Sequence, residues 1–335
     1  MANDKKILVT GATGFIGAAV VRALVKQGIT PRVLVRRDSD RHNLEGLELE
    51  IVEGDLADRP SLARAVNDIS VVYHLAADYR LWVRDPASLY QVNVEGTESL
   101  MREAADAGVE RIVYTSSVAT LGINKDGTAA DENTPVSAQD MVGHYKRSKY
   151  MAEERIRDLV HTEGLPVVIV NPSAPIGPGD IKPTPTGRMV LKAAQGAMPA
   201  FVDTGLNVAH VDDIATGHLL ACEKGEVGER YILGGENLTL AEILAEIARL
   251  IGRKPPKVKL PHSVLWPVAF IAESWARGRG QRTEPFLTLD ALRMSKKRMF
   301  FSHEKAARHL GYRPRPAVDG FSDALDWFKE RGYLS

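Results

Sequence analysis

The stretch from Lys5 to Ala19, KKILVTGATGFIGAA, limits what this chain can fold into more than any other. Ile7, Leu8 and Val9 read as a buried parallel strand, Gly11, Gly14 and Gly17 follow at three-residue spacing, and Phe15 to Lys26 carries helical periodicity. One glycine lets the chain turn sharply off the strand, a second lets backbone amides approach a pyrophosphate, and a third lets helix and strand pack closely. The helix N-terminus then offers free N–H groups and the positive end of its dipole to an anion. A dinucleotide site is therefore expected here, with Gly11, Thr13, Gly14, Phe15, Ile16 and Gly17 as its contacts. The competing reading is a tight turn that uses glycine for backbone geometry alone.

With 335 residues the chain can bury a large core in one domain or two unequal ones. Lys plus Arg and Asp plus Glu number 43 each, so no global charge points to nucleic acid. Cys222 is the only cysteine, which excludes an internal disulfide and suits a reducing compartment. The Lys5-Lys6 pair leads into a strand that ends at Gly11, unlike a signal peptide, and the apolar stretch Val264 to Ala272 is short and interrupted by Pro267. A cytoplasmic protein without an integral membrane segment is expected, and no residue is assigned to a metal.

Strands at Arg32 to Val35, Leu49 to Val52 and Val71 to Leu75 alternate with helical or loop segments, the pattern of a parallel, doubly wound sheet. The residue after the second strand faces the adenosine ribose, where an acid favours NAD and an arginine accommodates the extra phosphate of NADP. Arg36 and Arg37 stand there, with Asp38 beside them keeping NAD open, and a solvated pair is the plainer reading. Asp55, followed by Leu56, is placed either to accept from the adenine amino group or to cap the next helix. Leu75, Ala76 and Ala77 close the fourth strand with room for a ligand, or with tight packing. Asp78, Tyr79, Leu81 and Trp82 follow as candidates for a substrate wall or for surface packing.

A long helix is predicted from Ala87 to Ala107, carrying Asn93. The fifth strand, Arg111 to Thr115, runs into Ser116-Ser117, and a loop leads to Tyr145 and Lys149, four residues apart on one helical face. Carbonyl reduction needs a hydride donor, a proton donor and a group that holds the oxygen. Tyr145 can give the proton, but bringing a phenol from its ordinary value to neutrality takes roughly 4 kcal/mol of preferential phenolate stabilisation. The Lys149 ammonium acts in that direction, and Ser117 is positioned to orient the substrate oxygen.

Together these residues make the chain resemble the extended short-chain dehydrogenase/reductase superfamily. Thr10-Gly11-Ala12-Thr13-Gly14-Phe15-Ile16-Gly17 matches its cofactor turn and Tyr145 and Lys149 its catalytic pair. Ser117, the second serine of Thr-Ser-Ser, is the one that carries the role. Asn171 to Pro178 resembles the nicotinamide-side segment, with Pro172 and Ser173 as contacts, and His210 to Ala215 the C-terminal signature. Within the superfamily the chain is most similar to the branch of dihydroflavonol 4-reductase-like enzymes and hopanoid-associated sugar epimerases. The resemblance implies an α/β, Rossmann-type doubly wound parallel sheet and a smaller, mostly helical substrate domain. The first occupies 1–171, rejoined by about 205–225, and the second mainly 172–335. It also implies a homodimer built on two long helices.

Beyond the sixth strand, Val167 to Val170, closely spaced prolines and glycines indicate a structured loop or lid. Arg188, at the start of a helix to Gln195, either reaches a phosphate or carboxylate of the substrate or faces solvent. His210 either touches substrate or belongs to a structural turn. Leu240 to Ile251 reads as a helix. Val264 to Arg282 joins an apolar half carrying Trp266, Phe270 and Trp275 to a basic tail, read as core packing under a lid or as a greasy entrance at a membrane surface. The expected activity is NADP-dependent hydride transfer to a sugar- or lipid-linked carbonyl. The alternatives are a nucleotide-sugar epimerase using the same three residues and a non-catalytic dinucleotide sensor.

Overall fold

The computed structural model describes residues 5–80, 82–83, 85–278 and 287–334. Its first half alternates strand and helix: β1 (Ile7–Thr10), α1 (Phe15–Lys26), β2 (Arg32–Val35), β3 (Glu50–Glu53), α2 (Arg59–Val66) and β4 (Val71–His74). A short α3 (Pro86–Tyr90) passes through a π-helical turn, Gln91–Gly96, into α4 (Thr97–Asp106), and β5 (Arg111–Thr115), α5 (Gly143–Glu163) and β6 (Val167–Pro172) follow.

The later chain contains β7 (Ala174–Ile176), α6 (Pro185–Ala194), β8 (Ala200–Phe201), β9 (Gly205–His210), α7 (Val211–Lys224), β10 (Arg230–Leu233) and β11 (Glu236–Thr239). After these come α8 (Leu240–Leu250), β12 (Val258–Lys259), α9 (His262–Gly278), α10 (Leu289–Met294), β13 (Arg298–Met299), α11 (Glu304–Leu310) and α12 (Ala317–Glu330).

Seven strands form one parallel sheet in the order β10-β6-β5-β4-β1-β2-β3, the expected doubly wound α/β architecture. Central strands such as β1 and β4 are buried on both faces, which is why they read as continuous apolar runs instead of alternating ones. Successive side chains feed opposite layers. Ile7 and Val9 join a core with α1, α7 and α11, while Leu8 joins the layer formed with α2, α4 and α5.

Strand β10 lies beyond the six that the sequence pattern yields, because RYIL is too short to separate by periodicity from a buried turn of helix. A third core, including Val190, Ile243, Ile247, Phe321 and Phe328, holds α6, α8 and α12 together with β9 in the smaller lobe. That lobe is less purely helical than expected, since β7, β9, β11 and β13 form a second sheet and β8 pairs with β12.

Two predicted helices change shape. The run expected from Ala87 to Ala107 is interrupted by the π turn, and α6 begins at Pro185, three residues ahead of the expected Arg188. Thr184 caps α6 by accepting from Gly187 N, and Pro185 takes the first position, where its missing N–H costs nothing.

Candidate functional site

At the β1–α1 turn, Gly11 adopts φ +71°, and a Cβ there would lie 2.6 Å from Ala76 N. A Cβ on Gly17 would lie 2.1 Å from the Gly11 carbonyl oxygen. No side chain can occupy either place, so the turn lies tight against the end of β4. Helix α1 begins at Gly14 with no side-chain cap and no acid in its first turn. Its leading N–H groups therefore lack both an internal partner and a competing anion. Thr13, Phe15 and Ile16 are half-buried around this point.

Arg36 and Arg37 are exposed immediately after β2, and neither guanidinium forms a hydrogen bond or ion pair among the described residues. Asp55 accepts from Ala57 N at 2.9 Å, closing a local turn. The cap position of α2 belongs to Asp58, so Asp55 does not cap that helix as one reading had it. Leu56 is buried against Gly96.

At the end of β4, Ala76 N donates to Thr10 Oγ1 at 3.2 Å, and that oxygen also meets His74 Nδ1 at 2.7 Å. Burial pushes His74 down to about 3, so the ring is neutral, and its Nε2 bonds Thr97 Oγ1 at 3.0 Å. Leu75, Ala76 and Ala77 thus run past the glycine turn at fixed height. Next to them the π turn aims Asn93 inward. Its Oδ1 accepts from Asp78 N at 2.7 Å and its Nδ2 donates to the Asp78 carbonyl and to Ser148 Oγ, each at 2.9 Å. Insertion of one residue into a helix is a recurring way to present a side chain at a site.

Ser116 and Ser117 diverge at the end of β5. Ser116 is buried and donates to the Glu153 carboxylate, whereas Ser117 Oγ accepts from Ala119 N at 3.1 Å and keeps its own proton for donation. Burial pushes the Tyr145 phenol up to about 12, and hydrogen bonding from Ser117 pulls it the other way. One turn along α5, Lys149 is buried and donates to Tyr114 Oη at 2.9 Å and to the Thr115 carbonyl at 2.8 Å. Burial brings its ammonium down to about 7, opposed by the charge of Glu153.

Glu153 carries a role that the Tyr145 to Lys149 spacing did not reveal. Its Oε2 accepts from Thr120 Oγ1 at 2.8 Å and Asn171 Nδ2 at 3.0 Å, and its Oε1 pairs with Arg230 at 3.1 Å. Asn171 Nδ2 also donates to the Ser117 carbonyl at 3.1 Å, and that carbonyl lies 2.8 Å from Thr120 Oγ1, where it shares the single hydroxyl proton with Glu153. The signal lay in the sequence as a third polar residue at the same four-residue step: Tyr145, Lys149, Glu153. Its partners come from β5, β6 and β10, which no spacing along α5 foretells.

The remaining candidates divide. Pro172 ends β6, and the next residue, Ser173, is buried with a hydroxyl that has no partner among the described residues. The Asp78 carboxylate is bonded to Arg80, and Tyr79 is half exposed. Trp82 is partly buried, and Leu81 lies outside the described residues. Arg188 donates to the Pro183 carbonyl at 3.1 Å from within α6, one turn past its start. His210 is buried and spent on the fold: Nδ1 accepts from Asp212 N and Nε2 meets Asp323, each at 3.0 Å, so it occupies the structural turn and has no ring nitrogen left for a substrate. The uncapped helix, the cleared turn and the orphaned Ser173 hydroxyl all fit a dinucleotide.

Residues 7–234 match the model of the NAD dependent epimerase/dehydratase family. The chain belongs to that family. A Synechocystis protein provisionally named dihydroflavonol 4-reductase is 42% identical over 330 residues, covering 97% of this chain and 95% of its own. Sterol demethylase protein B of Methylococcus capsulatus is 38% identical, covering 98% and 99%. The crystal structure of gox2253 superposes with a TM-score of 0.89 at 53% identity, covering 99% of this chain and all of that one. Members of this family that bind NAD(P) include reductases and epimerases, and this chain is an NAD(P)-dependent protein of that oxidoreductase/epimerase class.

Proposed function

We propose that the protein is an NADPH-dependent carbonyl reductase in which Tyr145 gives the proton. The observation that carries this reading is that α5 holds Tyr145 one helical turn from buried Lys149, whose ammonium is tied to the Thr115 carbonyl at 2.8 Å, two residues before Ser117. A phenol held up at about 12 is protonated throughout the physiological range, the state that reduction requires at its outset.

Ser117 donates to the substrate oxygen and holds it beside the Tyr145 hydroxyl. Lys149 stabilises the phenolate left when the proton departs. Gly11 to Gly17 and the α1 N-terminus hold the pyrophosphate, Arg36 and Arg37 the ribose phosphate, Asp55 and Leu56 the adenine side, and Leu75 to Ala77 with Pro172 and Ser173 the nicotinamide side. When bound, NADPH supplies the hydride for the carbonyl carbon. The name of the 38% identical relative and the hopanoid association of the resembled branch both support a carbonyl on an apolar, lipid-linked skeleton. Asp78, Tyr79 and Trp82 face it in this reading, which also has the protein act as a cytoplasmic homodimer through α4 and α5.

Substrate-dependent loss of NADPH absorbance across a panel of ketones and aldehydes tests the proposal. Net reduction of the substrate at the expense of NADPH, with Tyr145→Phe slowed by roughly a thousandfold and NADPH affinity kept, is the expected result. Turnover of a nucleotide sugar without change in the cofactor pool makes it an epimerase instead. Undiminished turnover by Tyr145→Phe removes the assignment of the proton donor.

A further inference from the structure

Five of the ten exposed large apolar side chains among the described residues stand on α9. Val264, Val268, Ile271 and Trp275, at steps of four, three and four residues, lie along a single face and are 56, 41, 65 and 59% exposed, with Phe270 beside them at 61%. The carboxylate that α9 carries, Glu273, is turned inward and accepts from Leu289 N at 2.9 Å. Exposed apolar stripes of this size mark interaction surfaces. The core-packing reading of this segment does not hold for these side chains.

The charge of the segment that carries the stripe selects its partner. Residues 253–298 contain eleven Lys and Arg against three Asp and Glu, a formal +8 in a chain whose total is zero, so the remainder carries −8. Lys254 and Lys257 are exposed just ahead of α9. Lys296 and Arg293 lie 5.0 and 5.9 Å from the Trp266 ring, which stands about 200° round α9 from Val264, so the basic turn after α10 lies against the side of the helix away from the stripe, as the polar side of a helix lying in a bilayer surface does. A second copy of this chain would bring two such basic segments together, and their repulsion opposes self-association. An anionic, apolar-cored surface satisfies both the charge and the stripe.

We propose that this face of α9 seats on an anionic lipid bilayer, with the apolar side chains in the headgroup boundary and the net positive charge of the segment drawn to the lipid phosphates. No helix among the described residues is long and apolar enough to cross a membrane, so the contact is peripheral. It goes beyond the hydride-transfer reading and does not depend on it.

Flotation of the full chain with vesicles of phosphatidylcholine alone, and of phosphatidylcholine mixed with phosphatidylglycerol, tests it. Co-flotation with the mixed vesicles that weakens as salt rises is expected. The paired change Ile271→Ser and Trp275→Ser should lower the bound fraction about tenfold while NADPH titration is unchanged. Lys296→Glu with Lys297→Glu should weaken binding to the mixed vesicles while leaving that same titration as it was. Absence of co-flotation from both vesicle types overturns the proposal, as does co-flotation indifferent to the serine pair. It also fails if light scattering shows the serine pair converting a dimer to a monomer, because a second copy then covers the face.

Discussion

Two junctions in this molecule have the same local plan, strand then turn then helix, and end differently. At the start of α1 the cap is Gly14, no acid stands in the first turn, and glycines clear the approach. At the start of α7 the cap is the His210 ring, and Asp212 and Asp213 fill the first turn. Asp213 is closed by Arg315 at 2.9 Å and the His210 ring by Asp323 at 3.0 Å. The second junction satisfies its helix dipole and its N–H groups from within the fold, and the first leaves them for something else. The two helices pack against each other on the same face of the sheet. Position in the fold therefore does not separate them; the side chains at the cap do.

The largest expected effect comes from giving the first junction the chemistry of the second. Gly14 has φ −79°, and a Cβ there meets only the Gly11 oxygen at 3.2 Å, so Gly14→Asp is sterically tolerable. It should cap α1 while opposing a pyrophosphate, weakening NADPH binding roughly a hundredfold, about 2.7 kcal/mol, without lowering Tm. Fluorescence titration and thermal melts check both halves, and unchanged affinity would break the contrast.

Arg36→Ala removes a cation whose guanidinium has no hydrogen bond or ion pair among the described residues. NADPH affinity should fall about twentyfold with NADH affinity almost unmoved. Equal losses would detach Arg36 from the ribose phosphate.

Charge also separates Lys149 from His218, which share Thr115. The Thr115 carbonyl accepts from Lys149, and its hydroxyl meets His218 Nε2 at 2.9 Å. Burial holds His218 near 4 and Lys149 near 7, so of these two only Lys149 changes charge between pH 5 and 9. The ammonium is present below about 7 and lost above it, so reduction should slow several-fold as pH rises from 6 to 8. Glu153→Gln should move that limb to lower pH, since its charge is what opposes the burial. A pH profile of kcat in both proteins reads the shift.

The smallest change is expected at the second junction. His210→Ala removes a cap and an interaction with Asp323, lowering stability by about 1–2 kcal/mol in urea unfolding while NADPH affinity stays constant. A loss of affinity would show that the two junctions are coupled.

Local sequence was enough for the parallel sheet, the glycine turn and the placing of Tyr145 and Lys149 one turn apart on a helix. Each is written in local terms: apolar runs of strand length, glycines where a side chain cannot stand, and polar residues at helical spacing. The choice of Ser117 over Ser116 as a proposed site residue came from the resemblance; the structure adds that Ser116 is tied to Glu153. The tertiary structure alone decided that Glu153 braces the Ser117 loop, that a π turn aims Asn93 inward, that Asp58 and not Asp55 takes the α2 cap position, and that His210 is used up by the fold. It also decided that the apolar side of α9 faces solvent. These depend on partners tens of residues away, and periodicity along one segment cannot say whether the partner of an apolar stripe or a polar ring belongs to the chain or comes from outside it.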